Sequence, residues 1–152
     1  MSTLWVIGDS TVSSFEDKYY YPRYGYGTML DKYLNDNVKV VNIALSGRSS
    51  KSYLSEPEYT SPVGDYMTEG TFANTLYVNY IRKARNAGCY PILCTPIVRR
   101  SASGEWKATE LHITQDVAQY KGGDYALAVR ELGKAVGVPV IDMTQLTRDE
   151  YE

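Results

Sequence analysis

Short apolar runs that alternate with amphipathic stretches constrain this chain more than any other feature. Leu4 to Ile7 is rich in strand formers and stops at Gly8. Val38 to Ile43, Pro91 to Ile97 and Val138 to Met143 repeat the pattern. Between them lie stretches with helical spacing. Tyr26 to Leu34 carries Met29, Leu30, Tyr33 and Leu34. Phe72 to Ala87 places Leu76, Tyr80, Ile81 and Ala84 on one face, with Gly88 as its stop. Asp124 to Val136 turns Leu127, Ala128, Leu132 and Ala135 inward and stops at Gly137. Gly47 to Lys51 reads as a polar turn, Glu56 to Gly70 as a loop, and Ser101 to Gln119 as polar and irregular. Apolar strands alternating with helices specify an α/β fold with a parallel sheet covered on both faces.

The 152 residues make one ordinary domain, and 43% hydrophobic content is enough for a core without staples. Sixteen basic and 18 acidic residues form no cationic stripe, so the sequence carries no footprint for nucleic acid. No stretch reaches the length of a membrane span, so no membrane partner is expected. The first ten residues lack the charged start and length of a signal peptide. The expectation is a cytoplasmic chain, or a secreted one whose leader is absent. Cys89 and Cys94 flank or end a strand and read as small core residues, neither a disulfide framework nor a zinc site. The 15 tyrosines suit either sugar stacking or an ordinary surface.

In a parallel sheet, ligands gather beyond the carboxyl ends of the strands. The residues there are Gly8 to Thr11, Ser46 to Ser49, Thr95 with Arg99 and Arg100, and Asp142 to Thr144. Ser10 follows the first strand directly. A serine at that place sits near free backbone N–H groups able to hold the oxygen of a tetrahedral intermediate. On this short motif alone, a residue that only caps the following turn is the more common case. Gly47, in N-I-A-L-S-G-R-S-S-K-S-Y after the second strand, admits a ligand without a Cβ in the way.

Together these two blocks resemble the SGNH/GDSL hydrolases, and most closely their rhamnogalacturonan acetylesterase-like carbohydrate esterases. Y-G-Y-G-T-M-L at Tyr24, Y-P-I-L-C-T-P-I-V-R-R at Tyr90, K-G-G-D-Y-A-L-A-V-R-E-L at Lys121 and the closing V-P-V-I-D-M-T extend the resemblance over almost all of the chain. The resemblance implies a three-layer α/β/α, flavodoxin-like parallel sheet, formed by residues 1–152 as one incomplete domain. It implies a serine ester hydrolase that removes acetyl groups from carbohydrate, such as plant cell-wall polysaccharide, without metal or organic cofactor. Ser10 would be the nucleophile, the N–H groups of Ser10 and Gly47 the oxyanion donors, and Asp9 a shaper of the turn. Arg99 and Arg100 would hold a polar or acidic sugar, or stand as solvated surface charges.

Two family blocks do not occur in the chain. G-x-N-D, whose Asn supplies a further oxyanion donor, is missing between Ser50–Leu54 and Ser55–Thr60. About one βα unit, roughly 30 residues, would stand there. D-x-x-H, with the general base, is not found either. The expected fold therefore lacks one central strand and the C-terminal helix. Either the flanking strands pair directly or two edges stay open. His112, the sole histidine, lies in E-L-H-I-T-Q-D with Asp116 four residues on. It does not match the position of the family base, and a lone loop histidine is more often structural. The alternative to an esterase is a non-catalytic carbohydrate-binding remnant of the same fold. A nucleotide binder is disfavoured because no phosphate-cradling loop follows the first strand.

Overall fold

The computed structural model describes residues 1–14, 22–48, 50, 52–55, 72–100, 106–107 and 125–151. The loop expected at Glu56–Gly70, most of Ser101–Gln119, His112 and Asp116 lie outside them. The chain divides into two compact units, Met1–Asp65 and Tyr66–Glu152. Parallel strands with helices make the fold α/β, as the alternating pattern requires.

In the first unit, β1 (Ser2–Val6) pairs in parallel with β2 (Val38–Asn42), Ser2 beside Val38 and Val6 beside Asn42. A 3-10 helix, Tyr26–Tyr33, joins them. It occupies the place of the expected amphipathic helix, but in the tighter form and with a different buried face. Tyr33 is 81% exposed and Met29 is exposed, while Gly27 is buried. The cause is steric: Gly25 and Gly27 pack directly on the turn after β1. A Cβ on Gly25 would come within 2.5 Å of the Ser13 nitrogen, and one on Gly27 within 2.7 Å of Asn42 Nδ2. Gly25 N–H donates to Ser13 O and Tyr26 N–H to Thr11 O, both at 2.8 Å. Glycine close to the helix start also weakens a regular α-helix. A short 3-10 turn, Ser52–Ser55, buries Tyr53, whose hydroxyl donates to Ile43 O at 2.6 Å.

The second unit begins with a continuous helical stretch: α1 (Phe72–Thr75), a π segment (Leu76–Ile81) and α2 (Arg82–Asn86). Then follow β3 (Leu93–Cys94), β4 (Arg99–Arg100) paired antiparallel with β5 (Trp106–Lys107), α3 (Tyr125–Val136), β6 (Val140–Ile141) and α4 (Met143–Tyr151). Both expected glycine stops are used. Gly88 and Gly137 adopt positive φ, and Cys89 N–H to Ala84 O and Val138 N–H to Gly133 O close the helix ends as Schellman turns. Arg85 adds a charge-assisted cap on the Val136 carbonyl at 2.7 Å. Ala73, Ile81, Ala128, Leu132 and Val138 form the core, with Leu76, Tyr77 and Leu93 against them.

Several expectations are corrected. β3 and β6 are much shorter than Pro91–Ile97 and Val138–Met143, because Pro91, Pro96 and Pro139 cannot donate to a ladder. The buried face of α3 is Ala126, Ala128, Val129, Leu132 and Gly133, and Leu127 and Ala135 are exposed. Gly133 sets that rotation: a Cβ there would strike Val140 and approach Val138 O to 2.9 Å, so the helix meets β6 at the glycine. Cys89 and Cys94 are exposed, not core. A helix, α4, follows directly on the V-P-V-I-D-M-T stretch. Among the described residues, the parallel pairs are β1 with β2 in the first unit and β3 with β6 in the second. Trp5, an apolar strand residue, is 58% exposed.

Asp142 organises the second unit. Arg130 Nε donates to its Oδ2 at 2.8 Å, and Arg130 NH2 to its Oδ1 at 2.9 Å, a two-point pair. Thr95 Oγ1 donates to Oδ1 at 2.9 Å, and Gln145 N–H, in the first turn of α4, to Oδ1 at 3.2 Å. Thr95 Oγ1 also accepts from Thr144 N–H at 2.9 Å. One carboxylate thereby links α3, β3 and the start of α4, for which it is the cap. The Arg130 guanidinium foremost, with Thr95 and Gln145 helping against a contrary push from burial, holds the carboxyl down at about 2.

A carboxyl whose folded pKa lies below its unfolded value stabilises the fold above the unfolded pKa and ceases to do so once the pH falls through the folded one. For Asp142 that window runs from 3.8 down to about 2. Replacement by Asn should therefore lower the urea midpoint of unfolding at neutral pH. The gap between the two proteins should close progressively between those values. A gap that stayed constant across that window would remove Asp142 from the acid response.

Candidate active site

The ladder between β1 and β2 does not end with the strands. Ile43 N–H donates to Val6 O at 2.9 Å, and Leu45 N–H donates to Gly8 O at 3.0 Å. Parallel pairing is thus maintained up to two residues before Ser10 on one chain segment and two residues before Gly47 on the other. Both leave the carboxyl ends of neighbouring strands, whose spacing in a ladder is about 4.8 Å.

Ser10 sits in a tight turn built by Asp9. The Asp9 carbonyl accepts from Val12 N–H at 3.1 Å and Ser13 N–H at 3.0 Å. The Asp9 carboxylate accepts from Thr11 N–H at 2.9 Å and Thr11 Oγ1 at 2.7 Å. Asp9 therefore satisfies the donors that follow Ser10 and leaves the serine itself uncommitted. Among the described residues, neither the N–H nor the hydroxyl of Ser10 has a hydrogen-bond partner. Half-burial keeps Ser10 within reach of solvent.

Gly47 is exposed and has φ +72°, the left-handed region that side chains resist. Among the described residues, nothing outside its chain neighbours lies within 4 Å of where its Cβ would stand. The glycine is required here by the backbone turn, not by a neighbour, and the space beside it is open. Its N–H also has no partner among the described residues. Two uncommitted N–H groups and a hydroxyl at one strand edge are part of what acyl transfer to a serine needs, the rest being a general base.

Of the other residues expected at the site, Arg99 and Arg100 form β4, with side chains outside the description. His112 and Asp116 lie outside the described residues. Thr95, Asp142 and Thr144, also at strand ends, hold the second unit together. Asn42 takes part without having been singled out. Its amide donates to Val12 O at 2.8 Å while its oxygen accepts from Ala44 N–H at 3.1 Å. A lone amide closing an apolar strand, V-K-V-V-N, is the signal that marks it. Among the described residues no group of three His, Cys, Asp or Glu is placed to hold a metal ion.

No family model matches the chain. Two Bacillus subtilis proteins are similar in sequence. One, named as the probable rhamnogalacturonan acetylesterase YesY, is 25% identical over 172 aligned positions that cover 93% of this chain and 70% of the relative. The rhamnogalacturonan acetylesterase RhgT is 24% identical, over 98% of this chain and 68% of the relative. The chain resembles the rhamnogalacturonan acetylesterases. The first alignment exceeds the 152 residues of the chain, so that relative carries residues with no counterpart here. Two solved structures share the fold. The Bacillus subtilis protein YxiM superposes with a TM-score of 0.69 at 21% identity, over 99% of this chain and 46% of its own length. A possible lipase from Chitinophaga pinensis gives 0.55 at 21% identity, over 93% of this chain and 67% of its own. The chain thus spans under half of the first structure and about two thirds of the others.

Gly47→Val tests the turn directly. Open space rules out a clash, so the cost is the left-handed backbone, about 1–2 kcal/mol. Thermal unfolding should register that loss. A Gly47→Val variant as stable as the original would mean that positive φ is not required here.

Proposed function

We propose that this chain is the Ser10-bearing part of a serine ester hydrolase that removes acetyl groups from carbohydrate, with acetylated plant cell-wall polysaccharide as its substrate class. The observation that carries the reading is the shared strand edge: Ser10 and Gly47 leave adjacent parallel strands in register, each with an N–H that is uncommitted among the described residues. The names of the two Bacillus subtilis relatives supply the substrate class. With this reading goes an SGNH-type three-layer arrangement, built by residues 1–152 as one incomplete domain.

In the proposed reaction, Ser10 Oγ attacks the acetyl carbonyl and forms a tetrahedral intermediate. The N–H groups of Ser10 and Gly47 hold its oxygen. Collapse expels the sugar hydroxyl and leaves an acetyl-serine, which water then cleaves to acetate. Asp9 keeps the turn taut by taking the Thr11 donors. Arg99 and Arg100 are assigned to the binding of a polar or acidic sugar. Ser10 needs a base, because an unassisted hydroxyl is almost never ionised near neutral pH. His112 is the one imidazole in the chain.

A second reading, a carbohydrate-binding remnant without catalysis, draws on a specific feature: G-x-N-D occurs nowhere in the chain. Loss of one oxyanion donor costs ~10²–10³ in rate, so slow acetyl release is expected from the 152-residue chain.

An organophosphonate ester probe separates the two. The esterase reading expects one adduct, on Ser10 by peptide mass spectrometry, and none in Ser10→Ala. A chain that binds acetylated pectin yet never acquires the adduct would support the remnant. Robust acetyl release abolished by His112→Ala would make His112 the base. Robust release untouched by that change would show that it is not.

A further inference from the structure

Asn42 is the last residue of β2, and its side chain reaches both loops that carry the proposed chemistry. Its Nδ2 donates to Val12 O at 2.8 Å, the back of the turn that presents Ser10. Its Oδ1 accepts from Ala44 N–H at 3.1 Å, at the start of the segment leading to Gly47. A carbonyl can only accept and an N–H can only donate, so these two partners fix which way the amide points. The surroundings are arranged around this contact. Gly27 lies against it, and a Cβ there would crowd Val12 O and stand 2.7 Å from Asn42 Nδ2. Tyr53, buried, holds the carbonyl of Ile43, the residue between Asn42 and Ala44.

We infer that Asn42 is a positioning residue which, through one amide, locks the Ser10 turn to the Gly47 segment. This rests on the esterase reading and deepens it. Asn42 touches neither the substrate nor the reacting atoms. It sets the distance between a nucleophile and an oxyanion donor carried on separate loops. Misplacement by about 1 Å costs up to ~100-fold in rate, so a side chain that spans both loops has direct leverage on the chemistry. Asp at this position keeps the acceptor for Ala44 and places a second oxygen against the Val12 carbonyl. The lock is thereby broken on one side only. Ala removes both sides.

The test measures two quantities on the full chain. The first is hydrogen exchange at the Ala44 amide, which needs no activity. Exchange should quicken in Asn42→Ala and stay near the original in Asn42→Asp. The second is the limiting rate of Ser10 modification by the phosphonate probe, read separately from its half-saturating concentration. In Asn42→Asp that rate should fall at least about tenfold, with half-saturation unchanged and the same far-ultraviolet circular dichroism. Gly27→Ala, which presses on the same hydrogen bond from the other side, should lower the rate in the same way and serves if an Asn42 variant fails to fold. Unchanged Ala44 exchange in Asn42→Ala overturns the lock, whatever Ser10 does. Altered exchange with unaltered modification rates in folded Asn42→Asp and Gly27→Ala overturns the positioning role alone. Absence of any Ser10 adduct in the original chain overturns the esterase reading, and the positioning role with it.

Discussion

Everything at the candidate site depends on the parallel ladder between β1 and β2. Parallel pairing sends both strands out at the same edge, and its register determines which residues meet there. The ladder runs from Ser2 beside Val38 to the bond between Leu45 and Gly8. A slip of one residue would turn every side chain to the opposite face. It would also separate Ser10 from Gly47 along the strand direction. Asn42, Tyr53 and the two glycines of Y-G-Y-G hold the loops beyond the ladder, where backbone pairing no longer constrains them.

The second unit shows similar hydroxyl and carboxylate chemistry put to another use. Its strands also end in polar residues, Thr95 and Asp142, but these satisfy each other and the donors at the start of α4. A carboxylate bound by Arg130, Thr95 and Gln145 has little capacity left for a ligand. Ser10 differs because Asp9 absorbs the donors that follow it and leaves the serine uncommitted. What distinguishes an uncommitted strand end from a structural one is therefore whether its hydrogen bonds are already taken, and that is a property of neighbours.

The exposed strand surface follows from the same logic. L-W-V-I is apolar on both faces, which in an α/β sheet anticipates cover on both. Yet Trp5 is 58% exposed, and β1 has a ladder on one side only among the described residues.

The sequence by itself determined the α/β class, the helix stops at Gly88 and Gly137, and the placing of Ser10 and Gly47 just beyond two strands. Each of these is local. Apolar period, glycine and turn chemistry act within a few residues, where the letters alone carry the physics. Tertiary structure alone decided the short β3 and β6, the rotation of α3 onto Gly133, the helix capped by Asp142 and the 3-10 form of Tyr26–Tyr33. It also decided the part played by Asn42, whose two partners lie thirty and two residues away in sequence. No periodicity could show that bond, because it exists only once the parallel ladder has brought the end of β2 beside the turn that follows β1.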